Sequence, residues 1–174
     1  KWTLETTGAY AKTSDLTITK TVEDDTKEIE RDRSKPEDIA NSEKVTFTVN
    51  TTIPSYSDAY LDTGDHKLTF EIKDTINAGL RYCGAPTDTV QVTAPKKTVD
   101  GASVAAELGT DYTVTYYDKN NNVLAPDKYE TDAAYFIVSF DPAYLKSLAA
   151  ATDRTVTITY KAFVTAAASV ITPG

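Results

Sequence analysis

Hydrophobic and polar residues alternate along much of the chain, and this alternation predicts β-strands. Successive side chains of a strand point to opposite faces, so a half-buried strand carries an apolar residue at every second position. In residues 155–164, for example, Val156, Ile158 and Tyr160 alternate with threonines. The predicted strands span residues 15–22, 44–53, 66–76, 112–118, 134–140 and 155–164, with weaker candidates at 81–82 and 90–94.

One short helix is predicted before the last long strand. Asp141 and Pro142 form a typical helix start, in which the aspartate caps the first turn and the proline takes the first helical position. The helix is expected over residues 143–150, whereas the small residues of 101–109 give no clear assignment. Because β-branched and aromatic residues dominate the other segments, the chain is predicted to be all-β, an immunoglobulin-like antiparallel β-sandwich.

Two predicted strands each carry one charged residue on an otherwise apolar face. Lys20 occupies such a position in the first strand, and Asp74 does so in the strand 66–76. Burying a lone ammonium or carboxylate is costly unless the charge is paired or neutralised. The two side chains are therefore expected to meet in the interior, where burial lowers the pKa of a lysine and raises the pKa of an aspartate. Their apolar neighbours on these two faces are Leu16, Ile18, Val22, Leu68, Phe70, Ile72 and Ile76.

Ordinary structural roles also fit these two residues. Lys20 and Asp74 would equally form a structural salt bridge, or the lysine would extend along the strand to reach water. Asp74 is also well placed to cap the turn that contains Asn77 and Gly79. The residues alone leave these alternatives open beside the reactive one.

Four segments follow one another in an order that resembles a known protein family. They are DLTITKTV from Asp15, VTFTVNTTIP from Val45, LTFEIKDTINAGL from Leu68 and TVTITYKA from Thr155. This order resembles the isopeptide-forming second domain of backbone pilins from Gram-positive bacteria, a Cna-type β-sandwich. The resemblance covers residues 15–174, and residues 1–14 are interpreted as an N-terminal arm or interdomain linker.

The resemblance implies a covalent cross-link between the first and last strands. In that family a lysine of the first strand is joined to an asparagine of the last strand, and a carboxylic acid of a middle strand catalyses the step. By position, Lys20 matches the isopeptide amine and Asp74 the catalytic acid. No asparagine follows Asn122, so the acyl partner is not found in the chain. Either the final strand is missing, or another chain supplies it, or this member forms no such bond.

A second covalent role implied by the family concerns pilus assembly. The family joins subunits through the lysine of a Tyr-Pro-Lys segment that precedes this domain. Residues 10–12, Tyr-Ala-Lys, are a loose match to it, which makes Lys12 the candidate for sortase linkage. A lysine of a flexible arm is the simpler interpretation.

Composition narrows the classes of partner. The formal net charge is −8, and no basic block is present, so nucleic acid is not an expected partner. A single cysteine, Cys83, excludes an intramolecular disulfide and is expected to be a small buried hydrophobic residue. Asp118, Asn120 and Asn122 imitate the start of a calcium loop, but Val123 stands where glycine is required, so a turn is expected and no metal site.

The expected function is structural. The resemblance implies a shaft or stalk domain of a pilus or cell-wall-anchored adhesin, outside the cell, without cofactor, turnover catalysis or membrane insertion. Its expected partners are neighbouring pilin subunits or adjacent domains of the same protein. The alternative is a ligand-binding adhesin domain that recognises host protein or glycan through its loops, including tyrosines such as Tyr56, Tyr60, Tyr116 and Tyr117.

Overall fold

The computed structural model describes residues 17–24, 44–56, 68–77 and 79–164, and these form an antiparallel β-sandwich. Ten strands and three short helical segments lie in these ranges. None of the helices there has the length and apolar character of a membrane span. The elements are β1 (Thr19–Asp24), β2 (Lys44–Thr52), β3 (Glu71–Thr75), β4 (Leu80–Tyr82), β5 (Gln91–Thr93), β6 (Lys97–Val99), β7 (Ala102–Val104), β8 (Tyr112–Tyr117), a 3-10 helix (Pro126–Lys128), α1 (Tyr129–Asp132), β9 (Tyr135–Phe140), α2 (Pro142–Ser147) and β10 (Thr155–Val164).

The first sheet is organised around β10. One side of this strand pairs with β2 from Thr155 to Phe163, and the other side pairs with β5 and then with β4. Strand β1 completes the sheet by pairing antiparallel with β2. Within the described residues, β1 hydrogen-bonds to a strand on one side only, so it is an edge strand there.

The second sheet has three strands in the order β3–β9–β8. Strand β3 pairs with β9 from Glu71 to Thr75, and it too is an edge strand of the described sheet. Strand three was predicted to begin near residue 66, but it begins at Glu71 although Leu68 and Phe70 are buried. Its partner β9 ends at Phe140, whose N–H donates to the Phe70 carbonyl oxygen at 3.1 Å, and the chain then enters helix α2. Residues before Phe70 therefore have no β9 partner to pair with.

Aromatic rings join the two sheets. Phe136 of β9 has its ring centroid 5.3 Å from that of Tyr160 in β10 and 5.7 Å from that of Tyr82 in β4. All three side chains are almost completely buried. Because Phe136 belongs to one sheet and the two tyrosines to the other, these contacts define the middle of the sandwich core.

The outward face of the first sheet is covered mainly by threonine. Thr21, Thr48 and Thr159 lie side by side across β1, β2 and β10, and alternate with inward residues such as Val49 and Ile158. The threonines of this face are partly or largely exposed. They are Thr19, Thr21, Thr46, Thr48, Thr52, Thr93, Thr155, Thr157 and Thr159.

Helix α2 is capped as predicted. The Asp141 carboxylate accepts hydrogen bonds from the backbone N–H groups of Ala143 (2.7 Å) and Tyr144 (3.4 Å), with Pro142 in the first turn. Tyr144 and Leu145 bury this helix against the core. The helix ends at Ser147, three residues before the predicted end.

The small-residue segment near residue 101 contributes to a hairpin that the sequence left unassigned. Strands β6 and β7 pair around a two-residue turn, Asp100-Gly101, in which both residues have positive φ angles (49° and 81°). Glycine tolerates such angles and aspartate does so more readily than most residues, which makes this pair typical of a tight hairpin turn. Both strands have only three residues and are largely exposed, so no alternation marks them.

Candidate functional site

The two edge strands bring Lys20 and Asp74 together. Lys20 lies on the inward side of β1, opposite Val49, and Asp74 lies on the inward side of β3, opposite Phe136. The Lys20 Nζ donates hydrogen bonds to both Asp74 carboxylate oxygens, each at 3.0 Å. The pair thus bridges the two sheets at one side of the sandwich.

Aromatic side chains form the surroundings of the lysine. Its Nζ donates a third hydrogen bond to the Tyr160 hydroxyl at 2.6 Å. It also lies 4.4 Å from the centroid of the Phe47 ring, which stacks on Tyr160 with centroids 5.1 Å apart. A cation over an aromatic face is stabilised by the ring quadrupole, so Phe47 stabilises the charged form of the lysine.

Burial pushes both members of the pair toward their neutral forms. The Lys20 side chain is 11% exposed and that of Asp74 only 3%. Loss of hydration lowers the pKa of Lys20, and the nearby Asp74 charge opposes this effect. The same loss of hydration raises the pKa of Asp74, against the opposing effects of Lys20 and the Tyr160 hydroxyl. The equilibrium between the ionised pair and the neutral pair of amine and carboxylic acid is therefore shifted toward the neutral pair, compared with the same two groups in water.

This geometry decides between some of the structural alternatives. The low exposure of Lys20 excludes a side chain that extends to water. The Asp74 carboxylate holds the lysine, while the turn after β3 is closed by a backbone hydrogen bond from Leu80 N to Asn77 O (3.2 Å). A buried structural ion pair and a reactive pair both remain compatible with these contacts.

A small cavity lies beside the pair. Its volume is about 30 Å³, enough to admit a water-sized group. Apolar side chains form much of its wall, and Lys20 and Asp74 complete it. The lining residues are Ile18, Lys20, Val49, Ile72, Lys73 and Asp74. The cavity therefore provides a place where a small polar group from another segment would contact both ionisable side chains at once.

Tyr160 is the site residue that sequence reasoning missed. The alternating pattern placed it on the buried face of the last long strand, where it was counted only as core. Its ring is indeed in the core, with 2% of the residue exposed. A tyrosine rather than a phenylalanine on a fully buried face carries a hydroxyl that needs a partner, and this requirement was the available signal.

The structure also locates other residues singled out from the sequence. Cys83 follows β4 and is buried as expected, and burial raises the pKa of its thiol to about 11. The Asp118 carboxylate accepts hydrogen bonds from the backbone N–H groups of Asn120 and Asn122, both at 2.8 Å, which makes a turn of this segment. Tyr56 and Tyr116 belong to the core cluster.

Two predicted features lie outside the described residues. Lys12, the candidate for sortase linkage, is one of them, and so is Tyr60. The proposed arm at residues 1–14 also falls there, and the proposed absence of a final strand concerns a region whose last ten residues, 165–174, are not described. These interpretations stay predictions.

Comparison with known proteins gives one structural likeness. No family model and no curated protein matches the chain. Among solved structures, the chain is similar to the fimbrial protein FimP from Actinomyces oris, with 14% sequence identity and a TM-score of 0.46. The match covers 85% of this chain and 27% of that one, so the chain spans about a quarter of the length of FimP.

Proposed function

We propose that the chain is a structural domain of a Gram-positive pilus or cell-wall-anchored adhesin, stabilised by an isopeptide bond at Lys20. The observation that supports this proposal is the buried contact between the Lys20 amine and the Asp74 carboxyl group, 3.0 Å apart, beside a cavity that both residues line.

The chemistry follows from the two shifted pKa values. Proton transfer from Lys20 to Asp74 gives a neutral amine, which is a nucleophile, and a neutral carboxylic acid, which donates a hydrogen bond. An asparagine carboxamide whose carbonyl oxygen entered the cavity would have that oxygen polarised by Asp74 while the Lys20 nitrogen attacks the carbonyl carbon. The new C–N bond forms to Lys20 and the old C–N bond to the amide nitrogen breaks. Asp74 gives its proton to the leaving nitrogen, which departs as ammonia, and takes up the proton that the attacking Lys20 nitrogen loses.

The edge position of β1 offers a route for the acyl donor. In the described part of the sandwich, the outer side of β1 has no strand partner, and an edge strand can accept a further strand by main-chain hydrogen bonds. A strand added there would run beside Lys20 and could direct an asparagine toward the cavity. The donor would come from elsewhere in the mature protein or from a neighbouring subunit.

Such a bond would give the domain mechanical and thermodynamic strength without a disulfide. By analogy with disulfides, closing a long loop covalently removes denatured-state entropy equivalent to roughly 4–5 kcal/mol. It would also tie β1, which pairs on one side in the described sheet, to another element so that tension along the chain does not peel it away. This role needs one reaction per molecule and no turnover.

Mass spectrometry of the mature full-length protein tests the proposal. A proteolytic digest should contain a branched peptide in which Lys20 is joined to an asparagine-derived acyl group, lighter than the two linear peptides by one ammonia. The Asp74→Asn variant should yield the linear peptides instead. Recovery of an unmodified Lys20 peptide in full amount from the mature wild-type protein would overturn the proposal.

A further inference from the structure

The buried Tyr160 hydroxyl has its hydrogen-bond partner in the candidate site. This hydroxyl accepts the third hydrogen bond of the Lys20 ammonium at 2.6 Å, shorter than either bond from this ammonium to Asp74. The same hydroxyl lowers the pKa of the Asp74 carboxyl group, against the larger effect of burial. The Lys20 ammonium is thus hydrogen-bonded to the Tyr160 hydroxyl and to the Asp74 carboxylate at once.

The tyrosine is held rigidly. Its ring stacks on Phe47 and meets Tyr82 and Phe136, with centroids 5.4 Å and 5.3 Å away. Burial also raises its pKa well above the usual range, so its hydroxyl stays neutral. A neutral hydroxyl on a locked ring is a fixed acceptor and donor, whereas the Asp74 carboxyl group must serve both the amine and any incoming carbonyl oxygen.

We propose that Tyr160 is a positioning residue of the cross-linking site, whose hydroxyl holds the Lys20 nitrogen beside the cavity while the Asp74 carboxyl group turns toward the acyl donor. This inference rests on the proposed function. When the Asp74 carboxyl group turns toward the acyl donor, it no longer holds the Lys20 amine. The Tyr160 hydroxyl is then the fixed partner that keeps the amine beside the cavity. The hydroxyl also stabilises the charged form of Lys20, because it accepts a hydrogen bond from the ammonium.

Because the hydroxyl stabilises the charged form of Lys20, the pKa of Lys20 is a readout that a purely structural role of Tyr160 would not change. Removing an acceptor from the ammonium should lower the pKa of Lys20 further. Among the described residues, the other ionisable groups near the amine are Asp74, Lys73 at the cavity wall and Tyr82 next to Tyr160. Tyr82 is a matched control, since its hydroxyl donates to the main-chain oxygen of Asp74 at 3.1 Å rather than bonding to the lysine.

The experiment is an NMR titration of the chain carrying ¹³Cε-labelled lysine, in the wild type, Tyr160→Phe and Tyr82→Phe. We expect the Lys20 midpoint of Tyr160→Phe to fall by about one pH unit below the wild type, since a hydrogen bond to a charged group has that order of strength. Tyr82→Phe should leave the midpoint where it is, although it removes a buried hydroxyl from the same core. Equal midpoints in the wild type and Tyr160→Phe would overturn the role of Tyr160.

A second variant covers the case in which Tyr160→Phe does not fold. Replacement of Tyr160 by 3-fluorotyrosine keeps the ring and the hydroxyl but makes the oxygen a weaker acceptor, so a smaller downward shift is expected. No shift with this residue would count against the inference. A wild-type Lys20 that titrates together with the exposed lysines would instead contradict the proposed function, because the site would then lack its reactive amine.

Discussion

The Lys20 amine and the Asp74 carboxylate make a bidentate contact across the two sheets, although 54 positions separate them in the chain. Removing one member of a buried pair leaves the other charge without compensation, which costs far more than removing both. The two partners are an acid and a base, so their single variants should respond to pH in opposite directions.

Lys20→Met should destabilise the fold by about 3–5 kcal/mol near neutral pH. Asp74 then keeps the burial that raises its pKa and loses the ammonium that lowers it. An acid with a raised pKa binds protons more tightly in the folded state, so the relative stability of the variant should be best at low pH. It should fall as pH rises from the ordinary aspartate value of 3.8 through the raised pKa. Urea unfolding at several pH values, as a difference from the wild type, measures this trend.

The double variant Lys20→Met with Asp74→Leu is the control for that experiment. It removes both charges and fills the space with apolar atoms, so its loss of stability should be much smaller and should not follow pH in this way. A single variant as stable at pH 7 as at pH 4, relative to the wild type, would show that Asp74 is not held in a desolvated site.

Asp74→Asn should show the reverse dependence. The Lys20 amine keeps its burial and loses the opposing charge, so its pKa is lowered further than in the wild type. A base with a lowered pKa binds fewer protons in the folded state, and stability is then lost as pH falls from the ordinary lysine value of 10.5 through the lowered pKa. Relative to the wild type, the variant should be more stable at pH 9.5 than at pH 7, on the order of 1 kcal/mol or more. A flat difference over this range would contradict the lowered pKa.

Cys83 should be chemically silent in the folded protein. It is buried, and the pKa of its thiol is raised to about 11, so almost no thiolate exists near pH 8. Iodoacetamide should therefore leave the native chain unmodified over an hour and label it fully in 8 M urea, as followed by intact mass. Rapid labelling of the native chain would mean that this part of the sandwich opens.

Asp141→Ala should cost about 1 kcal/mol, because it removes the cap of helix α2. Asp127→Ala is a suitable comparison, since Asp127 is exposed in the first turn of the 3-10 helix, where no side-chain cap bond is made. Thermal unfolding should show a clear loss for the first variant and a change close to zero for the second. Equal effects would mean that the capping bonds contribute little to stability.

The sequence predicts those parts of this fold in which burial alternates strictly. Strand β10 has the predicted bounds, 155–164, because its buried residues alternate with less buried ones over most of its length, first with threonines and then with Lys161 and Phe163. The same alternation marks Lys20 and Asp74 as charged residues on buried faces. The alternation predicts the edge strand β1 less well. This strand was predicted over residues 15–22 but runs from Thr19 to Asp24. Val22, which was expected on the apolar face, is 58% exposed.

Other features depend on partners that a linear pattern does not contain. The hairpin of β6 and β7 was missed because its short strands bury little, although Asp100-Gly101 is a typical turn pair. The 3-10 helix Pro126–Lys128 and helix α1 were not predicted, and they bury no residue completely. The contact of the Tyr160 hydroxyl with Lys20, beside Asp74, depends on three strands from two sheets meeting at one point, which only tertiary structure defines.

The threonines on the outward face of the first sheet affect how readily this face associates with other protein surfaces. Threonine is β-branched and favours the strand conformation, yet its hydroxyl keeps the surface wetted. A sheet face made of exposed aliphatic residues is an apolar patch that tends to associate with other apolar surfaces. The outward face of this sheet therefore does not itself promote sheet-to-sheet association, because the residues that favour its strands also keep that face hydrated.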